Sequence, residues 1–307
     1  DPGTSVAGAY GGYLAAMNAV RSRDLAAAEQ YLRSSLRADP DYLSAHVLLG
    51  MIRWEQRDTA GAEAAFHDAL QRDPHFGDAH LGLARLRFWG RWDWSGAEES
   101  FLRAIDEAPG RAEVHHAYAW FLLASRRFEE AKASMDRALE LDPLAAVLHS
   151  DLGWFHYRVR DYPGALTLCH AALEIDPQLR GALDCRHRAL ARLGQFDLAL
   201  VHGLELTEIP TELEQDLLSH PADEGYRQFL LYLDSTGAFG GNRFVRAMNL
   251  TAAGRDEEAL TQLEEAVEER DSLLVLIDVT PEFDPLVSTS RFQEVRRQVK
   301  GYERLSP

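Results

Sequence analysis

The sequence predicts an all-α protein built from repeated pairs of antiparallel helices. The first observation is a set of prolines spaced 34, 35, 34, 34 and 33 residues apart: Pro40, Pro74, Pro109, Pro143, Pro177 and Pro210. Each can end a helix, because proline cannot continue one and restricts the residue before it. The second observation is that small and large apolar residues recur at fixed distances before these prolines. A regular period of this length indicates one two-helix unit per repeat.

The second helix of each repeat is marked by three columns of residues, twelve, eight and five positions before the proline. Spacings of four and three place the columns on one face of a helix. The columns are Ala28, Ala62, Ala97, Ala131 and Ala165; Leu32, Phe66, Phe101, Met135 and Cys169; and Ser35, Ala69, Ala104, Ala138 and Ala172. The first helix carries a recurrent small residue, where we expect another helix to pack closely: Ala16, Gly50, Ala84, Ala119 and Gly153.

These columns resemble the tetratricopeptide repeat (TPR) family. The resemblance is carried by Gly50, Ala62, Phe66, Ala69 and Pro74, together with their counterparts through residue 177. It implies a right-handed superhelical solenoid, with six TPR units over residues 9–210. The sixth unit is degenerate, because His187 stands where a small residue is expected and Gly203 stands where a large one is.

The third repeat is one residue longer than the period. The extra residue must lie before Ala97, in the stretch FWGRWDWSG. We interpret Trp92–Asp93–Trp94 as the turn between the two helices of this repeat, and as a joint more than a binding site. Asp93 or Ser95 is then the N-cap of the second helix, because short polar side chains accept hydrogen bonds from the first free amides.

Residues 211–307 depart from the period and are expected to form a non-canonical, partly TPR-like helical cap at the C-terminal end, as a solenoid requires. The closing stretch DSLLVLIDVTPEFDPLVSTSRFQEV resembles the end of bacterial signalling proteins. In that group a TPR array follows a winged-helix DNA-binding domain, a class III nucleotide cyclase or a Ser/Thr kinase. The resemblance implies a sensory or regulatory module, periplasmic if cut from a membrane-anchored regulator and otherwise cytoplasmic.

The composition argues against several other classes of protein. Apolar residues make up 46% of the 307 residues, which excludes a disordered chain. No apolar run reaches the roughly 18–20 residues that span a bilayer, so we expect no membrane insertion. The net charge of −17 argues against nucleic-acid binding by this chain, because such proteins present a basic face.

No pattern in the sequence predicts a catalytic residue, a metal site or a cofactor. A column of histidines, His46, His80, His115 and His149, repeats with the period, so its members lie too far apart to share one zinc ion. The glycine-rich stretch at 237–242 lacks the ending of a phosphate loop and is expected to be a helix–helix loop. Cys169 and Cys185 are either two small buried thiols or, in an extracytoplasmic protein, one disulfide.

The first helices of the repeats carry a second apolar face, which predicts a concave aromatic groove that binds a peptide or partner protein. The residues assigned to this groove are Tyr13, Met51, Trp54, Arg85, Phe88, Trp89, Trp120, Trp154, Tyr157 and Arg158. Arg85, Arg158, Arg188 and Arg192 are expected to pair with partner carboxylates. In the alternative interpretation, residues 211–307 cover the groove and the array is a structural scaffold or a homodimer. An enzyme remains a remote alternative.

Overall fold

The computed structural model describes residues 2–236 and 242–300, and these residues are helical along most of their length, with no strand among them. The chain divides into two compact modules, Asp1–Val114 and His115–Pro307. We call them the N-terminal and the C-terminal module. Residues 237–241 of the glycine-rich stretch lie outside the described residues.

The N-terminal module contains three helix pairs. Their helices are α1 (Pro2–Arg21), α2 (Leu25–Ala38), α3 (Leu43–Glu55), α4 (Thr59–Arg72), α5 (Gly77–Arg85), a π-helical turn (Leu86–Arg91) and α6 (Trp94–Glu107). The predicted columns form the core of these pairs. Phe66 of α4 is fully buried, and a β-carbon on Gly50 or Gly82 would lie 2.6 or 2.4 Å from its Cε1. The aromatic ring therefore occupies the space left open by Gly50 and Gly82, which lie on the first helices of successive repeats.

The turn inside most repeats has one recurrent construction. A residue with positive φ precedes an aspartate N-cap, and in the second repeat these are Arg57 (φ 68°) and Asp58. The Asp58 carboxylate accepts a hydrogen bond from the amide of Gly61 at 2.8 Å, which satisfies one of the free amides at the start of the helix. Asp24, Asp93 and Asp161 cap their helices in the same way.

The Trp92–Asp93–Trp94 stretch is built as such a turn. Trp92 takes the positive-φ position (φ 56°), and Asp93, not Ser95, is the N-cap of α6. The extra residue of this repeat is taken up by the π-helical turn Leu86–Arg91, because a π-turn holds more residues per turn than an α-helix. Trp94 is buried, with its ring 5.3 Å from that of Phe88. These contacts make the stretch a packed joint.

The C-terminal module continues the helix pairs and ends in short 3₁₀ segments. Its helices are α7 (Ala112–Ala124, of which most belongs here), α8 (Phe128–Leu141), α9 (Ala146–Arg158), α10 (Tyr162–Ile175), α11 (Arg180–Arg192), α12 (Phe196–Leu204), α13 (Thr211–Ser219), α14 (Ala222–Thr236), α15 (Arg243–Ala252) and α16 (Asp256–Glu268). Two 3₁₀ segments (Ser272–Val279 and Pro281–Leu286) and α17 (Ser290–Val299) follow.

Helices α11 and α12, which correspond to the predicted sixth repeat, pack around a side chain from outside the pair. Gly203 of α12 leaves a gap where earlier repeats carry a large side chain. Phe229 of α14 fills it, and a β-carbon on Gly203 would lie 2.5 Å from the Phe229 ring. His187 of α11 is completely buried with its ring 6.1 Å from that of Phe229. A residue from outside the six-repeat period thus completes the core of the sixth repeat.

The two 3₁₀ segments turn back onto the repeats of the same module. The hydroxyl of Tyr157 donates a 2.7 Å hydrogen bond to Glu282, although the two residues are 125 positions apart. Phe283 and Phe292 pack against each other with ring centres 5.9 Å apart, and both are buried. The closing stretch of the sequence is therefore part of the core of this module.

Candidate functional site

An open cavity of about 200 Å³ lies in the N-terminal module, along the first helices of its repeats. Four of the residues assigned to the groove line it: Tyr13 of α1, Met51 and Trp54 of α3, and Arg85 of α5. Val47, Met51 and Trp54 share one face of α3 because they are spaced four and three residues apart. The side chain of Met51 is 45% exposed, so this apolar wall is open to a ligand.

The charges around this cavity are balanced within the module. The Arg85 guanidinium donates to Glu113 at 2.7 Å, and Arg111 pairs with both Glu113 and Asp78. Two arginines thus face two carboxylates. Arg85 was expected to pair with a carboxylate of a partner protein. In the structure it is already paired with Glu113 of the same module.

Phe88 and Trp89 do not line the cavity. Phe88 is fully buried, and its ring lies 5.3 Å from Trp94 and 6.5 Å from Phe101. Trp89 is half-buried with its ring 4.4 Å from that of Phe88. The π-helical turn that carries both residues rotates them away from the register of a continuous α-helix. The structure therefore places Phe88 in the core, where no partner can reach it.

The other four assigned residues lie in the C-terminal module, and two of them, Tyr157 and Arg158, bind its closing segments. Arg158 lies over the rings of Trp120 and Trp154, at 5.8 and 5.5 Å from their centroids. It donates a 2.6 Å hydrogen bond to Thr280, while Tyr157 binds Glu282. Tyr157 and Arg158 are buried, so the segment around residues 280–282 covers these two positions of the predicted groove.

A buried polar cluster joins α11 to the same segments, and the sequence did not predict it. Arg188 pairs with Asp184 at 2.8 Å and with Glu282 at 3.5 Å, and donates to Asn249 at 2.7 Å. Arg192 approaches Glu282 at 3.9 Å. Both arginines were expected to meet a partner protein, and the structure instead supplies the carboxylate from residue 282. An acidic residue inside the mostly apolar stretch VTPEF was the only sequence signal for this contact.

The protonation of this cluster follows from its burial. Burial would raise the pKa of Asp184, but Arg188 and His187 bring it down to about 2, so the group is ionised. Burial lowers the pKa of His187, and the opposing effect of Asp184 is smaller. Neutral His187 can then donate from Nε2 to Asp184 (2.9 Å) and accept at Nδ1 from the Tyr226 hydroxyl (2.9 Å).

Comparison with known proteins agrees with this architecture. The family model for the tetratricopeptide repeat matches residues 13–74, 48–112 and 116–179, which together exceed half of the chain. The chain belongs to the tetratricopeptide repeat family. The predicted all-α TPR fold is therefore confirmed. TPR domains are generally non-catalytic modules that bind other proteins.

Solved TPR structures show the same fold at low sequence identity. One, reported in a functional characterisation of pilF from Pseudomonas aeruginosa, is 16% identical, covers 75% of this chain and 99% of that chain, and has a TM-score of 0.56. A tetratricopeptide repeat protein from Parabacteroides merdae is 13% identical over 95% and 98% of the two chains, with a TM-score of 0.53. A TPR protein of Thermus thermophilus is 18% identical over 60% and 98%, with a TM-score of 0.53. No curated protein gives a significant match.

The periodic histidines of this TPR chain bind the turns between repeats. The Nε2 atoms of His46, His80 and His149 lie 2.8, 2.9 and 2.9 Å from the carbonyl oxygens of Pro40, Pro74 and Pro143. Each imidazole thus ties a first helix to the proline that ends the preceding repeat. Within residues 2–236 and 242–300, no group of three or more metal-ligating side chains is placed to hold an ion.

The two cysteines are free thiols, and both are buried in the C-terminal module. Burial raises the pKa of the Cys185 thiol well above its usual value, with a contribution from Cys169 beside it. Of the helices described, none is both long and apolar enough to cross a membrane.

Proposed function

We propose that this TPR chain is a protein–protein interaction module that binds a peptide or partner protein in the groove of its N-terminal module. The observation that carries the proposal is the open cavity lined by Tyr13, Met51, Trp54 and Arg85. In the C-terminal module, Tyr157 and Arg158 are bound by residues 282 and 280, which supports the N-terminal groove as the available surface.

The cavity suits one apolar anchor side chain of a partner. Its volume of about 200 Å³ lies below the range of about 300–1,000 Å³ typical of small-molecule sites. Burying one large apolar side chain contributes about 1.5–3 kcal/mol, which is the scale of an interface hot spot. Since Arg85 and Arg111 are already paired, the recognised feature is an apolar or aromatic residue and not an acidic one.

We assign the chain to the sensory or regulatory part of a bacterial signalling protein or transcriptional regulator. The support is the resemblance of its closing stretch to the end of such proteins. In this assignment the N-terminal groove receives the partner and an output domain attached elsewhere responds. The chain itself performs no catalysis, inserts into no membrane and binds no nucleic acid.

The proposal is tested with a matched pair of charge substitutions in the N-terminal module. Met51 and Leu102 are exposed to similar extents, 45% and 47%, but only Met51 lines the cavity. The wild type, Met51→Asp and Leu102→Asp chains are each screened against the same displayed peptide library. We expect peptides with an aromatic or large aliphatic residue to bind the wild type and Leu102→Asp, and to bind Met51→Asp at least about tenfold more weakly. Equal binding by the two variants would remove the groove as the site.

A second candidate, a structural or dimerising array, is favoured by a separate observation on α1. Val6, Tyr10 and Leu14 follow a four-residue spacing and are 59%, 55% and 41% exposed. Such an apolar stripe on one helix face suits a homodimer contact. Sedimentation of the wild type against Tyr10→Asp distinguishes the two functions. A dimer that dissociates in the variant supports this candidate, and a wild-type monomer excludes it.

A further inference from the structure

The C-terminal module contains a second cavity that the proposed interaction does not use. It has a volume of about 340 Å³ and lies between the turns of the fourth and fifth repeats and the closing segments. Arg126, Arg158 and Arg160 line it from the repeats, and Arg296 lines it from α17. Among the residues that the structure describes, Asp278 and Asp284 are the acidic side chains in its lining.

The lining of this cavity carries a positive excess in an acidic protein. Four arginines against two aspartates give a net charge of +2, whereas the whole chain carries −17. Arg160 pairs with Asp284 at 2.6 Å, and Arg296 pairs with Asp278 at 2.6 Å. These pairs use both carboxylates. Asp278 is also in contact with Lys300, whose pKa is lowered to about 7 by burial and by Arg126.

Arg126 and Arg158 therefore remain without an acidic partner among the residues that the structure describes. Arg126 is exposed, and it sits at a positive-φ position (φ 60°) in the turn between α7 and α8. Arg158 is only 6% exposed, and its Nε has no hydrogen-bond acceptor. Its remaining contacts are the Thr280 hydroxyl and the faces of two tryptophans.

A buried guanidinium without a directly paired carboxylate is unusual, because removing a charge from water costs several kcal/mol. In the same module, the buried guanidinium of Arg188 is paired with two carboxylates, those of Asp184 and Glu282. Burial lowers the pKa of Arg158, and attraction from Glu282 offsets this only in part. An anion in the adjacent cavity would provide the missing charge.

The rest of the lining specifies what kind of anion fits. Phe128, Phe283 and Phe292 contribute aromatic walls, and Ile277 and Val159 contribute aliphatic ones. The volume falls within the range of about 300–1,000 Å³ that is typical of small-molecule sites. An arginine pair matches the oxygen geometry of a phosphate, and an excess of +2 matches its dianion. The apolar walls suit an organic group attached to it.

We propose that this cavity binds a small organic phosphate, with the phosphate paired to Arg126 and Arg158 and the organic group against Phe128 and Phe283. Such a ligand contacts both the repeats and the closing segments. It therefore ties the C-terminal cap to α7–α9 and makes the stability of the cap depend on ligand. This site is independent of the N-terminal groove, so either proposal can fail without the other.

The test is isothermal titration calorimetry of the full chain with phenyl phosphate, in a buffer free of phosphate and sulfate. We expect saturable binding to the wild type. Inorganic phosphate is expected to bind about tenfold more weakly because it lacks the apolar group, and benzyl alcohol is expected not to bind because it lacks the charge. Failure of phenyl phosphate to bind, or equal binding of benzyl alcohol, overturns the proposal. Equal binding of inorganic phosphate overturns the organic part of it.

Substitution of Arg126 locates the site without disturbing the core. Arg126→Gln keeps a β-carbon at the same positive-φ position, so the backbone cost of the turn is unchanged, and only the charge is lost. We expect phenyl phosphate to bind this variant about tenfold or more weakly. Arg137→Gln, which removes an exposed arginine on α8 outside the cavity lining, is the control and is expected to bind as the wild type does. Equal affinities of the two variants overturn the assignment.

Discussion

Replacing Glu282 with glutamine tests whether the buried polar cluster holds the closing segments in place. The substitution preserves the shape of the side chain and its ability to accept from the Tyr157 hydroxyl at 2.7 Å. It removes the negative charge that faces Arg188 at 3.5 Å and Arg192 at 3.9 Å. The hydrogen-bond geometry is therefore held nearly constant while the ionic part of the contact is lost.

The magnitude can be worked from these distances. With an effective dielectric constant of about 20, the two attractions are about 4.7 and 4.3 kcal/mol. Glutamine also escapes the carboxylate's desolvation cost of several kcal/mol, and Arg188 keeps its pair with Asp184. Arg192 is 32% exposed and can be solvated by water. We therefore expect a net loss of about 3 kcal/mol, at the lower end of the range of about 3–5 kcal/mol for breaking a buried ion pair.

Native-state hydrogen exchange measures this loss of stability within the closing segments themselves. A change of about 3 kcal/mol corresponds to a roughly 100-fold loss of protection for amides of the segment 272–286. Glu140→Gln, which breaks an exposed pair with Arg137, is the control and is expected to change protection less than about fivefold. A loss in Glu282→Gln no larger than that of the control would refute the reasoning.

Three further predictions concern stability. Gly82→Ala is expected to cost about 1–2 kcal/mol in urea unfolding, because overpacking against the Phe66 ring exceeds the gain in helix propensity. Gly194→Ala is expected to cost about 1 kcal/mol because its φ is 74°, whereas Gly110→Ala, where a β-carbon also meets open space, is expected to cost nothing. The pKa of His187 is lowered in the folded chain, so its imidazole binds a proton more readily in the unfolded chain. The free energy of unfolding is therefore expected to fall as the pH drops below about 6.5. His187→Asn should reduce that dependence between pH 7.5 and 5.5.

Each of these has a contradicting outcome. Unchanged or increased stability of Gly82→Ala would mean that Phe66 can move away, although Gly50 confines the ring on its other side. Equal effects of Gly194→Ala and Gly110→Ala would show that the positive φ is not what matters at residue 194. For His187, the control is the exposed His67→Asn, and an equal reduction of pH dependence in both variants would contradict the role assigned to the buried imidazole.

The repeats could be predicted because their contacts are local in sequence. Phe66 packs on Gly50 and Gly82, which are only 16 residues away on either side, and Cys169 packs on Gly153 at the same separation. The pattern of small and large residues can therefore be recognised from residues that are close together in the sequence. The N-cap Asp93 was predicted as one of two choices, since the chemistry of caps depends only on neighbouring residues.

The candidate site was predicted less well, because its state depends on distant residues. Trp54 lines an open cavity, while Tyr157 at the equivalent position of the fifth repeat is buried, and so is the adjacent Arg158. Residues 280 and 282 cause the difference, and they lie more than 120 positions further along the chain. Phe88 was assigned to the groove on the basis of α-helical spacing. It lies in the core instead, because a π-helical turn interrupts that spacing.

The sequence by itself determined that this protein is an array of TPR helix pairs, because proline stops, capping residues and small-to-large packing columns all act within one period. Only the tertiary structure decided which aromatic faces are open. Trp54 and Tyr157 occupy equivalent positions in the second and fifth repeats, and the exposure of each is fixed by whether another segment supplies complementary contacts. In the C-terminal module Glu282 and Thr280 supply these contacts, through hydrogen bonds to Tyr157 and Arg158. The repeat pattern does not predict these bonds, because residues 280 and 282 lie outside it.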